Sequence, residues 1–164
     1  MPTFKSGQQS LMVWGCISYN QRGPLVLIPS DKRSGVDYVE LVLAGPLWDF
    51  YVEEYEEKGQ VLVMEDGAPI HQSKVAKKFR SKNSMETFPH PAQSPDANPI
   101  EHVWKRLKVL VNKRPQRPRN LDELWLALQE EWEKIDLAFI NSLVYPMLKH
   151  VQAVYSAKGG STKY

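Results

Sequence analysis

The stretch QVLVMEDGAP, residues 60–69, decides the fold. Its four consecutive apolar residues at 61–64 predict a strand that is buried on both faces, as in a parallel sheet. Asp66 follows this strand within the turn at 65–69, and ligands of open α/β sheets bind beyond the carboxyl ends of such strands. Asp66 is therefore a candidate functional residue. An Asp before Gly is also common in turns, so a purely local role stays open.

Outward from this strand, the chain alternates strands and helices. Upstream, apolar runs at 11–19 and 24–29 flank a turn at 20–23 and predict a β-hairpin. A helical period follows at 36–55, with a break at Gly45-Pro46. Downstream we expect a helix at 72–81, a weak strand at 85–88, a proline-rich loop at 89–99, and helices at 100–112, from 120 onward and at 138–155. This order predicts an α/β fold with a mixed sheet, after a disordered or frayed start at 1–10.

Composition excludes several classes of protein. The 164 residues include five Trp, seven Tyr and five Phe, too much apolar surface for a largely disordered chain. The longest apolar runs fall short of the roughly 20 residues that span a bilayer, so we expect no membrane partner. A single Cys excludes an internal disulfide and a multi-cysteine metal site. Four His without a shared spacing argue against a zinc site.

Charge is unevenly distributed along the chain. The net charge is −5 over residues 1–66, +9 over 67–119 and −2 over 120–164. A positive middle third predicts contact with a polyanion such as the DNA backbone, although a solvated basic face explains it equally well. His71 could order a phosphate or act as a local cap. The candidate nucleic-acid-binding residues are His71, Lys74, Lys77, Lys78, Arg80, Lys105, Arg106, Lys108, Lys113, Arg114, Arg117 and Arg119.

Glu101 is the second candidate carboxylate. Asn98-Pro99-Ile100-Glu101 reads as a capping box at the start of a helix, in which the Glu side chain turns back onto the cap. A Glu held in that way cannot freely ligate a metal, so the two roles compete. The intervening helix and strand return the chain to the same end of the sheet. We therefore expect the carboxylates of Asp66 and Glu101 about 4–8 Å apart, as hard oxygen ligands for Mg²⁺.

Three ordered segments resemble the catalytic domain of the mariner superfamily of cut-and-paste DNA transposases. They are MVWGCIS at 12–18, EDGAPIH at 65–71 and SPDANPIEHVW at 94–104, and the tail at 157–164 is similar as well. The 34 residues between Asp66 and Glu101 match the spacing of one main branch of that superfamily. The resemblance covers nearly the whole chain from about residue 11.

The resemblance implies a ribonuclease-H-like fold in which three acidic residues hold two Mg²⁺ or Mn²⁺ ions. Asp66 and Glu101 would be the second and third acids, catalytic and metal-binding, and the partner would be DNA. The intact parent would work as a homodimer on transposon ends, in the nucleus of a eukaryotic host. The family's first Asp lies on a central strand upstream of the segment at 11–19, and residues 1–10 contain no acid.

The expected domain organisation is therefore a partial catalytic domain at 11–155, lacking its central strand, with a tail at 156–164. We expect an inactive transposase fragment from these 164 residues. A second hypothesis is a non-catalytic nucleic-acid-binding or interaction protein derived from a transposable element. A third, an unrelated metal-dependent phosphoesterase, would use Glu65 as an additional acid.

Overall fold

A computed structural model describes residues 1–7, 9–89 and 98–156. Within these ranges the chain has an α/β architecture with two small sheets and helices packed around them. The expectations for residues 90–97 and for the tail at 157–164 lie outside the described residues. No helix in the described ranges is long and apolar enough to cross a membrane.

The first sheet is antiparallel and consists of β1 (Thr3–Ser6), β2 (Gln9–Ser18) and β3 (Gln21–Ile28), with β2 in the middle. The predicted hairpin is confirmed, but its turn is shorter than expected. Ser18 pairs with Gln21, and Asn20 adopts a positive φ of 65°, so the chain reverses in two residues. The expected turn at 20–23 is wrong for residues 21–23, which extend β3.

The frayed start expected for residues 1–10 is also wrong. Thr3 to Ser6 pair with Met12 to Gln9, and Gly7 has a positive φ of 60° between the two strands. Phe4 is only 5% exposed and packs into a hydrophobic core with Leu11. The burial of this one aromatic side chain orders a segment that otherwise reads as polar.

The helical stretch after the hairpin is interrupted where the sequence predicts. It consists of α1 (Gly35–Tyr38), a π-helical segment (Val39–Leu43) and α2 (Pro46–Lys58), with Gly45 at the cap before Pro46. Ser34 and Asp37 form a reciprocal capping box at the start of α1. Proline at the first helical position begins α2 without the loss of an intrahelical hydrogen bond.

The second sheet is a parallel pair, β4 (Val63–Glu65) and β5 (Thr87–Pro89), connected through α3 (Lys74–Lys82). The strand predicted at 60–64 is shorter than expected, and the prediction that it is buried on both faces is wrong. Residues 61–66 are half-buried, because they line a cavity that separates β4 from β2. The expected mixed sheet is thus divided into two sheets, one antiparallel with three strands and one a parallel pair.

Three helices complete the fold: α4 (Pro99–Asn112), α5 (Leu121–Glu133) and α6 (Leu137–Ser156). Their main core is built around Trp104 and Trp132, whose rings stack with centroids 5.4 Å apart. Trp132 also donates a hydrogen bond from its indole N–H to the Gly23 carbonyl. Gly15 leaves room for this pair, because a Cβ at that position would lie 2.8 Å from the Trp104 ring.

Candidate active site

Asp66 lies directly after β4, at the edge of the second sheet, with its side chain 42% exposed. Its Oδ1 accepts a hydrogen bond from the Ala68 amide at 3.1 Å and lies 2.6 Å from His71 Nδ1. In the part of the chain that the structure describes, no hydrogen bond or ion pair involves Oδ2. Asp66 therefore stabilises its own turn through one oxygen and presents the other without a protein partner.

The electrostatic surroundings favour an ionised Asp66. The hydrogen bond from His71 lowers the pKa of Asp66 to about 2, against the opposing effect of partial burial, and the Ala68 amide lowers it further. The carboxylate is therefore negatively charged at neutral pH, which is the state that binds a divalent cation.

His71 is buried beside Asp66, and the expectation that it contacts phosphate stays a prediction. It is 4% exposed, and its ring lies against Tyr38 with centroids 4.7 Å apart. Its Nδ1 faces the Asp66 carboxylate, while Nε2 is buried with no hydrogen-bond partner among the described residues. The local-cap alternative is closer to the structure, because His71 acts on the turn that carries Asp66.

Glu65 and Arg80 form a buried pair behind this turn. The two Glu65 oxygens accept hydrogen bonds from the Tyr38 hydroxyl and the Arg80 guanidinium, and Arg80 also donates to the His71 carbonyl at 2.9 Å. Arg80 is 8% exposed. The Arg80 charge therefore lies inside the fold against Glu65, and the prediction that Arg80 binds nucleic acid stays a prediction. Glu65 is likewise engaged on both oxygens, which removes the basis of the phosphoesterase hypothesis.

Glu101 lies in the first turn of α4 and is half-buried. Asn98 caps the helix, since its Oδ1 accepts a hydrogen bond from the Ile100 amide at 3.3 Å. Among the described residues, the Asn98 backbone N–H makes no reciprocal hydrogen bond to the Glu101 carboxylate. The predicted cap is confirmed, but the capping box is not formed. The Glu101 carboxylate is thereby released from the role that competed with metal ligation.

A cavity of about 670 Å³ lies beside both candidate carboxylates. Asp66, Glu101 and His71 line it together with residues 14–19 of the β2 region and 60–66 of the β4 region. The separation of about 4–8 Å between the two carboxylates stays a prediction.

Two residues of this cavity lining have side chains suited to ligate a hard divalent cation. Asp66 and Glu101 offer carboxylate oxygens, which Mg²⁺ and Mn²⁺ prefer over nitrogen and sulfur. No group of three His, Cys, Asp or Glu residues suited to a metal ion occurs within 1–7, 9–89 and 98–156. The described residues therefore provide a pair of ligands and leave the remaining coordination positions to water or to other groups.

Glu54 is a cavity residue that the sequence analysis did not identify. It is 2% exposed, and its carboxylate contacts the Ser18 hydroxyl and the Lys58 ammonium. Its place in an acidic run indicates a solvated face, yet it follows the buried residues Leu47 and Tyr51 at helical spacing. That period is the available signal for its burial.

Three basic residues of the predicted set contact other side chains. Arg114 pairs with Glu130 and Glu131, Arg119 pairs with Glu123, and Lys108 Nζ lies 5.6 Å from the centre of the Phe4 ring. Lys108 and Arg119 are nevertheless exposed, as are seven further residues of the set on α3, on α4 or in the linker after it: Lys74, Lys77, Lys78, Lys105, Arg106, Lys113 and Arg117.

Helix α3 has an exposed face of lysines and a buried face. Lys74, Lys77 and Lys78 recur at intervals of three and four and are exposed, whereas Ala76 and Arg80 are buried. The helix therefore presents a compact positive surface, formed by these three lysines, while its opposite side supports the turn that carries Asp66.

Comparisons with solved structures establish the fold. The catalytic domain of Mos1 transposase, solved with raltegravir and Mg, aligns with a TM-score of 0.69 at 18% identity, over 94% of this chain and 77% of that chain. A Mos1 mariner paired end complex with Mn also aligns with a TM-score of 0.69, over 94% of this chain and 45% of that one. The expected ribonuclease-H-like fold is thereby confirmed.

Sequence comparisons establish the family. The Tcb2 transposase of Caenorhabditis briggsae is 33% identical over 167 residues, and the Tc1 transposase of Caenorhabditis elegans is 32% identical over 166 residues. These alignments cover 100% and 99% of this chain, which spans 58% of the length of each relative. A profile described as "DDE superfamily endonuclease" matches residues 8–135. The chain therefore belongs to the DDE superfamily endonucleases and is homologous to the transposases of Tc1 and mariner elements.

Proposed function

We propose that Asp66 and Glu101 are two of the metal-binding carboxylates with which the parent transposase cleaves DNA and joins it to a target. The observation that supports this proposal is that Asp66 and Glu101 both line the same cavity. Two further features support it. Asp66 Oδ2 makes no hydrogen bond to any described residue, and the Glu101 side chain is not hydrogen-bonded to the cap of α4.

The metal would be Mg²⁺ or Mn²⁺, the ions with which the aligned Mos1 structures were solved. When bound, such ions stabilise the attacking and leaving oxygens of a phosphoryl transfer. The residues of this chain contribute binding and charge. The low pKa of Asp66 keeps it ionised, and Glu101, in the first turn of α4, lines the same cavity.

These 164 residues by themselves would not cleave DNA. Two ions must be held together for the reaction, and the described residues offer two carboxylates rather than three. Catalysis would require a further acid beside Asp66 and Glu101. Dimerisation on transposon ends and a nuclear location in a eukaryotic host belong to the same proposal for the parent transposase.

DNA would contact the exposed basic residues through its phosphates. Lys74, Lys77 and Lys78 form one face of α3, and Arg106, Lys113 and Arg117 add positive charge on α4 and in the linker. Such contacts release counterions and carry no sequence information, so affinity should fall steeply with salt and vary little with sequence.

Metal binding is tested by titrating the 164-residue chain with Mn²⁺ and measuring free Mn²⁺ by electron paramagnetic resonance. We expect weak binding that Asp66→Ala and Glu101→Ala each reduce. Asp122→Ala is the matched control, because Asp122 is an exposed acid on α5 outside the cavity lining. Equal Mn²⁺ affinity in wild type, Asp66→Ala and Glu101→Ala would refute the metal assignment.

DNA binding is tested by fluorescence anisotropy with random duplexes over a range of salt. Replacing one phosphate-contacting residue should reduce the slope of log affinity against log salt by about 0.9. We expect this for Lys77→Ala and not for Lys5→Ala, an exposed lysine on β1. An affinity that is independent of salt would contradict the DNA proposal.

The second candidate function, a non-catalytic nucleic-acid-binding protein, is favoured by the lack of a three-ligand group among the described residues. It predicts salt-dependent DNA binding without any Mn²⁺ binding at Asp66 and Glu101. The two titrations together therefore distinguish the candidates.

Cleavage is examined by incubating the chain with Mg²⁺ or Mn²⁺ and DNA that carries the element's ends. Specific cutting that disappears in both Asp66→Ala and Glu101→Ala would show that these 164 residues suffice for catalysis.

A further inference from the structure

We propose that His71 is a positioning residue that orients the Asp66 carboxylate so that Oδ2 is the metal-binding oxygen. This inference rests on the proposed function and assigns a role to a buried side chain that the metal site itself does not require. It follows from the contacts of His71 on both of its sides, and not from its charge.

The first step is the contact with Asp66. A carboxylate only accepts hydrogen bonds, so the 2.6 Å approach of His71 Nδ1 to Oδ1 requires the proton on Nδ1. The Ala68 amide donates to the same oxygen. His71 Nδ1 also lies 3.4 Å from the backbone carbonyl oxygen of Asp66. The Ala68 hydrogen bond and the close His71 contact restrict the rotation of the carboxylate group, and the oxygen left for a cation is Oδ2.

The second step is the rigidity of His71 itself. Arg80 donates to the His71 carbonyl at 2.9 Å, and Tyr38 packs against the imidazole ring. Arg80 and Tyr38 are in turn both hydrogen-bonded to Glu65, the residue before Asp66 in the chain. Asp66 is therefore supported by a network of contacts that runs from Glu65 through Arg80 and Tyr38 to His71.

The third step is the location of the group. His71 and Asp66 line the same cavity as Glu101, while the buried Nε2 of His71 has no hydrogen-bond partner among the described residues. A residue present only for packing would not need the Nδ1 donor at this place. Hydrogen-bond partners of metal ligands typically contribute about 10–100-fold in metal affinity.

The test compares Asn and Gln at position 71 in the 164-residue chain. The side-chain amide of Asn places an N–H near the position of Nδ1, whereas that of Gln reaches the position of Nε2. Both are polar and fill part of the buried site. We expect His71→Asn to keep most of the wild-type Mn²⁺ affinity and His71→Gln to lose about 10–100-fold. His150→Ala, a half-buried histidine on α6, is the control and should bind as wild type.

A double-mutant cycle with Asp66→Ala identifies the route of the effect. If His71 acts through Asp66, His71→Gln should cause no further loss of Mn²⁺ affinity once Asp66 is replaced. Circular dichroism of each variant verifies that it is folded.

The outcomes separate this inference from the function on which it rests. Equal affinities of the Asn and Gln variants, or a further loss in the Asp66→Ala background, overturn the role of His71 and leave the metal site intact. Wild-type affinity in Asp66→Ala, or no Mn²⁺ binding by the wild type, overturns the metal site and the role of His71 with it.

Discussion

The core around Trp104 and Trp132 and the wall around Asp66 contrast in how completely they are closed. The two tryptophans are 4% and 2% exposed and pack between the first sheet and the C-terminal helices. The apolar residues at 61–64 are half-buried on a cavity wall, in a sheet of two short strands. The difference shows that apolar burial stabilises the core around Trp104 and Trp132, whereas hydrogen bonds and ion pairs hold the region around Asp66.

The largest expected loss of stability comes from a substitution in the core around Trp104 and Trp132. Trp132→Ala removes a fully buried ring and its hydrogen bond to Gly23, and should lower the free energy of unfolding by about 3–5 kcal/mol. Leu62→Ala on the cavity wall should cost distinctly less, because Leu62 is already half-exposed. Urea unfolding followed by circular dichroism measures both. Similar losses would mean that the two sides are equally closed.

The next largest loss of stability comes from a substitution in the polar contacts behind the Asp66 turn. Arg80→Ala leaves Glu65 buried without its cationic partner and should destabilise the fold by about 3 kcal/mol. Lys77→Ala, on the exposed face of the same helix, should change stability by less than about 0.5 kcal/mol. The comparison is made by urea unfolding at neutral pH. An inert Arg80→Ala would show that the buried network does not support the turn.

A smaller loss of stability is expected from adding a methyl group at Gly15, and Gly67 provides the comparison. A Cβ at Gly15 would lie 2.8 Å from the Trp104 ring, so Gly15→Ala should cost about 1–3 kcal/mol. At Gly67, in the turn after Asp66, a Cβ would meet no atom of the described residues within 4 Å, and Gly67→Ala should be nearly neutral. Thermal unfolding of the two variants gives the difference. A neutral Gly15→Ala would contradict tight packing beneath the tryptophan pair.

The smallest effect concerns pH. The folded-state pKa of Asp66, about 2, lies below the unfolded value of about 3.9. The ionised carboxylate therefore stabilises the fold above pH 4, and this contribution disappears as the pH falls toward 2. The stability advantage of wild type over Asp66→Asn should shrink between pH 6 and pH 3. The exposed Asp122→Asn serves as control, and a constant advantage over this range would contradict the low pKa.

Elements whose signals are local could be predicted from the sequence. The hairpin, the break at Gly45-Pro46 and the start of α4 at Asn98 each depend on residues that are neighbours in the chain. The prediction for the start of the chain is wrong because Phe4 is ordered by a core it shares with α4 and α5. The burial of Arg80 could not be predicted, because its partner Glu65 lies 15 residues away, at no helical or strand period.

The sequence alone determined the alternation of strands and helices, the exposed basic face of α3, and the two candidate carboxylates through their positions after a strand and at a helix start. Tertiary structure decided that the Arg80 charge is buried, that Glu65 is its partner, and which oxygen remains free at Asp66. The physical reason is that periodicity and capping act within a few residues. Ion pairing and burial depend instead on which elements pack together, and no local pattern encodes that arrangement.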